Sequence, residues 1–319
     1  MCRLNMSNKI NIGITIGDPS GIGPEVALKS LKHFKAPQDC QIFVFGDRVV
    51  LERYGLKRDD KRFNLIDLKL IDSEDLKFGV LSGKFGLASL LYLKEAVKFL
   101  KQNKINCLVT APVSKEAVSL NNIEFCGHTE FLAGEFQAKK FAMMFVSQTM
   151  KLILVTRHIA LKDVAGSINI GDILNNILLT YDALGEYFGI KNPKIGVCAL
   201  NPHGSEIGEE EDRIIEPAID KFSKRNAIYG PLPADTIFKR LLDKEFHAVI
   251  CMYHDQGLIP FKMLHSQDGV NLTLGLPFIR TSPVHGTAFD IAGKNKADYR
   301  SMLAAVKLAY TLTKNKLNS

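Results

Sequence analysis

Short runs of apolar residues alternate along this chain with segments in which apolar residues recur at the spacing of an α-helix. The runs predict strands at residues 10–16, 41–45, 106–110, 195–200, 248–253 and 270–274. The helical segments predict helices at residues 24–34, 87–100, 173–188 and 297–312. Two further strands, at residues 142–147 and 151–156, have little chain between them and therefore predict an antiparallel pair.

This alternation of strands and helices is typical of an α/β fold with a largely parallel sheet, and the antiparallel pair makes the sheet mixed. The length of 319 residues favours about two domains. No linker rich in Ser and Gly marks a boundary between them. We therefore expect two α/β lobes that share one mixed sheet, with the active-site cleft between them and the lobe boundary left open.

The composition narrows the class of protein. Hydrophobic residues make up 46% and charged residues 24%, which is ordinary for a globular domain. The net charge of +7 is dispersed, with no run of more than two basic residues, so we expect no nucleic-acid partner. Apolar runs such as residues 141–146 are far shorter than the ~18 residues of a membrane span. We expect a cytoplasmic protein without a membrane partner, and the six cysteines include no C-x-x-C pair for a zinc ribbon or redox motif.

Three histidines stand at corresponding places in the predicted sheet. His158, His203 and His254 each follow a predicted strand. Ligands of α/β sheets bind at the carboxyl ends of the strands, and neutral imidazole is the commonest protein ligand of transition metals. Three histidines with open positions would form a catalytic metal site, although any one of them alone could equally be a hydrogen-bonded loop residue. A structural role is predicted for three other histidines, His33, His247 and His265.

Residues suited to an anion lie in the same part of the chain. They are Lys262, Asn271 and Arg280, together with His128 and Thr129, which precede a helix-like segment at residues 130–136. A cation pair and the free N–H groups of a helix N-terminus would together bind a phosphate. Taken singly, Lys262 and Arg280 could instead be surface charges.

Two glycine-containing loops complete the candidate chemistry. Residues 17–25 join the first strand to the first helix and contain three glycines, but they lack the spacing of a phosphate loop or of a dinucleotide fingerprint. A tight structural turn is an equal alternative there. Residues 285–294 combine small side chains with two glycines, which suits either a flat ligand or a structural turn.

Several of these segments resemble one enzyme family. The chain is similar to 4-hydroxythreonine-4-phosphate dehydrogenases at residues 17–25, 127–131, 201–204, 230–236, 253–257, 269–271 and 280–293. The first and last of these segments also resemble the wider superfamily of isocitrate and isopropylmalate dehydrogenases. The resemblance implies that superfamily's α/β fold, which binds NAD without a dinucleotide fingerprint.

The family resemblance also implies an activity. The substrate 4-phosphooxy-L-threonine would be oxidised by NAD at C3 and decarboxylated to 3-amino-2-oxopropyl phosphate, a step in pyridoxal phosphate biosynthesis. One divalent metal, Zn, Mg or Co, would bind His158, His203 and His254. The active protein would be a homodimer, with each metal site completed across the interface.

Further roles follow from the same resemblance. The substrate would contact His128, Thr129, Lys262, Asn271 and Arg280. The cofactor would contact His285, Gly286, Thr287, Ala288 and Asp290. A general base is also required, and the candidates are Asp235, Asp255 and Lys262, either aspartate being alternatively a partner that orients a ligand histidine. Asp290 would disfavour the 2′-phosphate of NADP, so we expect a preference for NAD.

Other functions stay open at this point. A related dehydrogenase of threonate or erythronate 4-phosphate would need most of the same residues. A phosphate acyltransferase of the same fold would need neither NAD nor three strand-end histidines. A non-catalytic nucleic-acid binder would need a basic cluster, and none is visible in the sequence.

Overall fold

The computed structural model describes residues 9–318. Within them the strands are β1 Ile10–Thr15, β2 Cys40–Gly46, β3 Asn64–Asp67, β4 Cys107–Thr110, β5 Ala142–Val146, β6 Lys151–Leu154, β7 Ile195–Cys198, β8 Ile228–Leu232, β9 Ala248–Cys251, β10 Val270–Leu274 and β11 Ile279–Pro283. The α-helices in the same residues are α1 Gly23–His33, α2 Arg48–Glu52, α3 Gly83–Lys101, α4 Lys115–Ser119, α5 His128–Glu135, α6 Val164–Ser167, α7 Ile170–Glu186, α8 Glu216–Asp220, α9 Ala234–Leu242, α10 His254–His265 and α11 Arg300–Asn318.

The chain divides into two compact units. Of the described residues, the first unit contains 9–137 and 276–318, and the second contains Ala138–Gly275. In the first unit the strand order is β3-β2-β1-β4-β11, with every neighbouring pair parallel. Helices α3 and α11 pack against these strands, because each presents a face of buried apolar residues such as Leu93 and Val306.

The second unit has the strand order β10-β5-β6-β9-β7-β8. Strand β5 runs antiparallel to both β10 and β6, whereas the pairs β6–β9, β9–β7 and β7–β8 are parallel. Strands β7 and β9 are buried at every position, as expected for parallel strands covered on both faces.

The α/β class and the mixed, largely parallel sheet are confirmed. The predicted antiparallel pair at residues 142–156 is also confirmed, as β5 and β6. Three strands were not predicted, namely β3, β8 and β11. The last helix begins at Arg300 instead of residue 297, because the Asp298 carboxylate accepts the Arg300 N–H and the Ala297 N–H bonds to Glu25.

Among residues 9–318, none of the helices combines the length and the apolar character that are needed to span a bilayer.

Candidate active site

The three strand-end histidines all belong to the second unit. His158 lies in the loop after β6, His203 in the loop after β7, and His254 is the first residue of α10, directly after β9. Because β6, β9 and β7 are adjacent and parallel, their loops leave the sheet at the same edge. The expected placement of the histidines at the carboxyl ends of the strands is therefore confirmed, while their role as a metal site stays a prediction.

Side chains near these loops tie the strand ends together. The Thr156 hydroxyl donates to the Met252 carbonyl over 2.7 Å, which joins the end of β6 to the end of β9. Gln256 is buried, and its side chain accepts the Met252 N–H and donates to the Ala199 carbonyl, each over 2.7 Å. Gln256 thus links the ends of β9 and β7, from which two of the histidine loops leave.

The loop that contains His203 is fixed by a buried carboxylate. Glu211 has no exposed surface, and its Oε1 accepts the N–H groups of Leu200 and Asn201, both over 2.8 Å. Its Oε2 accepts the side-chain amide of Asn201 over 3.0 Å. His203 then adopts a left-handed backbone conformation with φ of 58°, which is uncommon for residues other than glycine.

His158 and His254 face each other across a small distance. Their ring centroids are 5.8 Å apart. Two imidazoles that bind one tetrahedral ion through bonds of about 2.1 Å have centroids roughly 5 to 6 Å apart, so the pair has a suitable spacing. Both rings line a cavity of about 410 Å³, with Tyr253 and Asp255 among the other lining residues.

The tautomer of His254 also suits a metal. Its Nδ1 lies 2.6 Å from the Asp255 carboxylate and donates a proton to it. This hydrogen bond leaves the Nε2 lone pair available, which is the usual arrangement of a metal-binding histidine with a carboxylate partner. The contact is the one expected if Asp255 orients His254, which is one of its two predicted roles, and both roles stay predictions.

His203 is exposed and lies apart from this pair. Among residues 9–318, no three His, Cys, Asp or Glu side chains come close enough to hold one ion. The donor set of the pair still fits a transition metal, because two neutral imidazole nitrogens suit Zn²⁺ or Co²⁺. A third ligand from His203 stays a prediction.

In the first unit, Arg280 forms the centre of a buried polar cluster with Thr110, Thr129 and His128. It lies inside β11, and only 3% of it is exposed. Its Nη2 donates to the Thr110 hydroxyl over 2.6 Å, and its Nη1 to the Thr129 hydroxyl over 3.5 Å. Burial lowers the pKa of Arg280 to about 10, while the Glu130 carboxylate opposes this shift, so the side chain is a buried cation at neutral pH.

His128 lies beside this cation at the start of α5. Burial, followed by the positive charges of Arg280 and Lys115, lowers the pKa of His128 well below its usual range, so its imidazole is neutral. Its Nε2 is buried, and within residues 9–318 it has no hydrogen-bond partner. A neutral ring, a hydroxyl and a guanidinium thus converge here with the first turn of a helix, as expected for an anion site.

The remaining predicted substrate residues lie in the second unit. Asn271 is part of β10, paired with Phe145 of β5, and its buried Oδ1 has no partner among residues 9–318. Lys262 is exposed on α10, and Asp235 is exposed in the first turn of α9. The structure does not bring Lys262 or Asp235 into the histidine pair's cavity.

The predicted cofactor loop belongs to the first unit and rests on α1. The Ile22 N–H donates to the Thr287 carbonyl over 2.9 Å, and a Cβ on Gly21 would lie 3.0 Å from that carbonyl, so the approach favours glycine. Asp290 and Gly286 are exposed. His285 donates from Nδ1 to the Gly286 carbonyl, which leaves its buried Nε2 as an acceptor without a partner among residues 9–318.

The buried Glu25 holds the far end of this loop. Its Oε1 accepts the Ala297 N–H over 2.8 Å and the Lys29 ammonium over 2.6 Å. Lys29 also donates to the Asn295 carbonyl over 3.0 Å. The loop is therefore fixed at both ends by α1 and the turn before it.

Sequence reasoning missed several of these residues. Thr110, Glu211 and Gln256 support the site without having been singled out. Only Gln256 had a signal, because it lies in the matching segment 253–257. Nothing in the acidic run before residue 212 distinguishes Glu211 from its less buried neighbours.

The family model of the pyridoxal phosphate biosynthetic protein PdxA matches residues 38–309 of this chain. A 4-hydroxythreonine-4-phosphate dehydrogenase from Desulforapulum autotrophicum is 41% identical, with 95% of each chain covered. A D-threonate 4-phosphate dehydrogenase from Cupriavidus necator is 44% identical over 93% of this chain and 95% of its own. The crystal structure of 4-hydroxythreonine-4-phosphate dehydrogenase from Klebsiella pneumoniae superposes with a TM-score of 0.85 at 34% identity, covering 97% of this chain and 99% of that one. This chain belongs to the PdxA family of pyridoxal phosphate biosynthetic proteins.

Proposed function

We propose that this protein is a dehydrogenase that oxidises 4-phosphooxy-L-threonine at C3 with NAD and releases 3-amino-2-oxopropyl phosphate after decarboxylation. The family membership over nearly the whole chain is the main support. The buried guanidinium of Arg280, next to the Thr129 hydroxyl at the start of α5, supports the phosphorylated character of the substrate, because a guanidinium and hydroxyl donors match the acceptor oxygens of a phosphate.

The polar cluster around Arg280 binds and orients the substrate. Arg280, with the Thr129 hydroxyl and the start of α5, holds the substrate phosphate. The neutral His128 offers Nε2 as one further polar contact without adding charge. This remote binding energy positions the reacting carbon and so accelerates oxidation, and the effect should disappear when the substrate lacks its phosphate.

The histidine pair of the second unit would hold a divalent cation, Zn, Mg or Co. A cation bound there supplies Lewis-acid chemistry, which lowers the pKa of a hydroxyl and withdraws charge from a carbonyl. His158 and His254 would be two of its ligands and His203 a third. Asp255 keeps His254 in the required tautomer, which leaves Asp235 and Lys262 as candidates for the general base.

NAD accepts the hydride when it is bound, and residues 285–290 would hold it. Gly286 borders open space, since a Cβ there would meet no protein atom within 4 Å, and glycine leaves that space to a ligand. The exposed Asp290 would repel a 2′-phosphate. We expect a higher kcat/KM for NAD than for NADP, and an Asp290→Ser variant in which that preference shrinks. Equal values for the two cofactors in the unchanged protein would contradict this role.

The protein would act as a homodimer in the cytoplasm. Helix α10, which begins with His254, presents Ile259 and Met263 to solvent one turn apart, and Met263 is 80% exposed. An apolar face of this kind next to the histidine pair suits a second copy of the chain. A Met263→Glu variant should run as a monomer in sedimentation, while Lys262→Glu serves as the control on the same helix. A monomeric unchanged protein would contradict the proposal.

Two phosphorylated substrates separate the main proposal from its nearest alternative. NADH formation is followed with 4-phosphooxy-L-threonine, with D-threonate 4-phosphate and with unphosphorylated 4-hydroxythreonine, each with and without a chelator. We expect the highest kcat/KM for the first compound and a loss of activity with the chelator that added Zn, Mg or Co restores. A much higher kcat/KM for D-threonate 4-phosphate would assign the chain to that reaction instead.

A further inference from the structure

A second cavity lies in the second unit, at the end of the strands opposite the histidine loops. Its volume is about 510 Å³, which is within the ordinary range for sites of small molecules. Lys194 stands directly before β7 and Ala227 directly before β8, so the cavity opens at the amino ends of these strands. The histidine loops leave from the carboxyl ends. The cavity is therefore separate from the proposed metal site.

The side chains that line this cavity have one sign of charge. Lys194, Lys224 and Arg225 contribute three cations, and no Asp or Glu is among the lining residues. Arg225 is paired with Asp220 over 2.8 Å, but among residues 9–318 neither lysine has a carboxylate within salt-bridge distance. The cavity thus has an excess of positive charge that an anion would neutralise.

Two of the three cations have side-chain contacts with their surroundings, and the backbone of the third is fixed. The Lys224 ammonium lies 4.5 Å from the centre of the Tyr181 ring, a cation–π contact. Arg225 donates from Nε to Asp220 and from Nη1 to the Ile228 carbonyl, which leaves Nη2 for a ligand. The N–H of Lys194 donates to His247 Nδ1 over 2.9 Å, which fixes that backbone. Ordered donors lose less entropy when they bind an anion.

Aromatic rings form the rest of the wall. Tyr229 is 36% exposed in the cavity and packs against the buried Phe246 with ring centroids 5.5 Å apart. Tyr181 packs in the same way against the buried Phe222 at 5.3 Å. Each tyrosine is therefore supported from behind, and the exposed surface of Tyr229 is available for a flat ligand.

We propose that this cavity binds a small phosphorylated aromatic molecule, with its phosphate at Lys194, Lys224 and Arg225 and its ring against Tyr229. A phosphate dianion with three acceptor oxygens matches three cationic donors better than a single carboxylate does. Both a nucleotide and a phosphorylated pyridine have the required chemistry. The proposal concerns a site apart from the catalytic residues and does not depend on the reaction that they perform.

Calorimetric titration of the purified protein tests the site with four probes, pyridoxine 5′-phosphate, AMP, unphosphorylated pyridoxine and inorganic phosphate. Pyridoxine 5′-phosphate has no aldehyde, so it cannot react with lysines. We expect saturable binding of at least one aromatic phosphate, and binding at least about 10-fold weaker for inorganic phosphate and for pyridoxine. The stronger of the two aromatic phosphates identifies the class of ring. Equal affinity for inorganic phosphate would overturn the role of the ring, and no binding by either aromatic phosphate would overturn the site.

Variants locate the binding. Lys224→Ala and Lys194→Ala should each lower the binding affinity for the aromatic phosphate about 10-fold or more. Lys221 is a neighbouring exposed lysine outside the cavity, so Lys221→Ala should leave that affinity unchanged. Tyr229→Ala should lower the binding affinity for the aromatic phosphate but not the affinity for inorganic phosphate. Binding that survives both lysine substitutions and disappears in Arg280→Ala would place the ligand at the polar cluster around Arg280 and overturn the proposal.

Discussion

Removal of the Glu211 carboxylate should release the loop that contains His203. Glu211 is fully buried, and its Oε1 is the acceptor for two main-chain N–H groups, those of Leu200 and Asn201. A Glu211→Ala change leaves both donors unsatisfied. A buried donor that loses its partner costs about 1–3 kcal/mol, so the free energy of unfolding should fall by roughly 2–6 kcal/mol. Denaturation with urea measures that quantity directly.

Two other variants separate this explanation from a general loss of charge. Glu210 also accepts the Asn201 amide, over 2.8 Å, but among residues 9–318 the main-chain N–H groups that bond its carboxylate are only those of Glu209 and Glu210. Glu210→Ala should therefore cost under about 1 kcal/mol. Glu211→Gln keeps one acceptor oxygen and should recover part of the loss. If Glu211→Ala were no less stable than Glu210→Ala, the reasoning about the buried acceptor would be wrong.

The loop also links stability to activity. Because His203 follows Asn201 in the same loop, Glu211→Gln should lower the metal affinity of the folded protein even where the stability is largely kept. Metal content after dialysis, measured well below the unfolding transition, reports on this effect. An unchanged metal content in Glu211→Gln would show that the loop does not take part in the metal site.

Three further predictions rest on other parts of the site. Arg280→Ala should lower kcat/KM for the phosphorylated substrate about 10- to 150-fold and leave the unphosphorylated one nearly unchanged, with Arg280→Lys in between; an equal loss for both substrates would remove the phosphate role. His158→Ala and His254→Ala should abolish stable metal binding, and Asp255→Asn should lower the metal affinity about 10- to 100-fold, as measured by equilibrium dialysis. Full metal content in either histidine variant would show that this histidine is not a metal ligand. Burial raises the pKa of Asp18 to about 6 from 3.8, so the folded protein binds a proton there more tightly than the unfolded chain does. The stabilisation from this more tightly bound proton is present at low pH and is lost as the pH rises from about 4 to 6. Asp18→Asn should therefore raise the free energy of unfolding by up to roughly 3 kcal/mol at pH 7 but not at pH 3. An equal effect at both pH values would contradict the shift.

The sequence predicted those elements in which local pattern and tertiary packing agree. The buried strands β7 and β9 are short continuous apolar runs, and the short connection between β5 and β6 required an antiparallel pair. Because the histidines follow three such strands, topology alone placed them at one edge of the sheet.

The missed elements are those in which tertiary contacts override the local pattern. Strand β8 contains Gly230 and Pro231, which normally indicate a turn. Strand β11 contains Arg280 and two hydroxyl residues, and its polar character becomes compatible with burial only because Thr110 and Thr129 accept hydrogen bonds from the guanidinium. Such partners are distant in the sequence, so no local pattern could indicate them.

Among residues 9–318, His203 does not join the histidine pair in one metal-sized group, which shows a different limit. Strand topology predicts which edge a loop leaves, but the path of the loop beyond that edge depends on its own contacts. Here Glu211 holds the start of the loop, and the left-handed conformation at His203 sets the direction in which the chain continues.

The coupling of oxidation to decarboxylation is the central claim, and one measurement tests it directly. The purified protein with a bound divalent metal is incubated with NAD and 4-phosphooxy-L-threonine labelled at the carboxyl carbon, and NADH and labelled carbon dioxide are quantified together. Equal amounts of the two products are predicted, with far less of either formed from the unphosphorylated compound at the same concentration. NADH without carbon dioxide, or no NADH from a folded and metal-loaded protein, would contradict the proposed function.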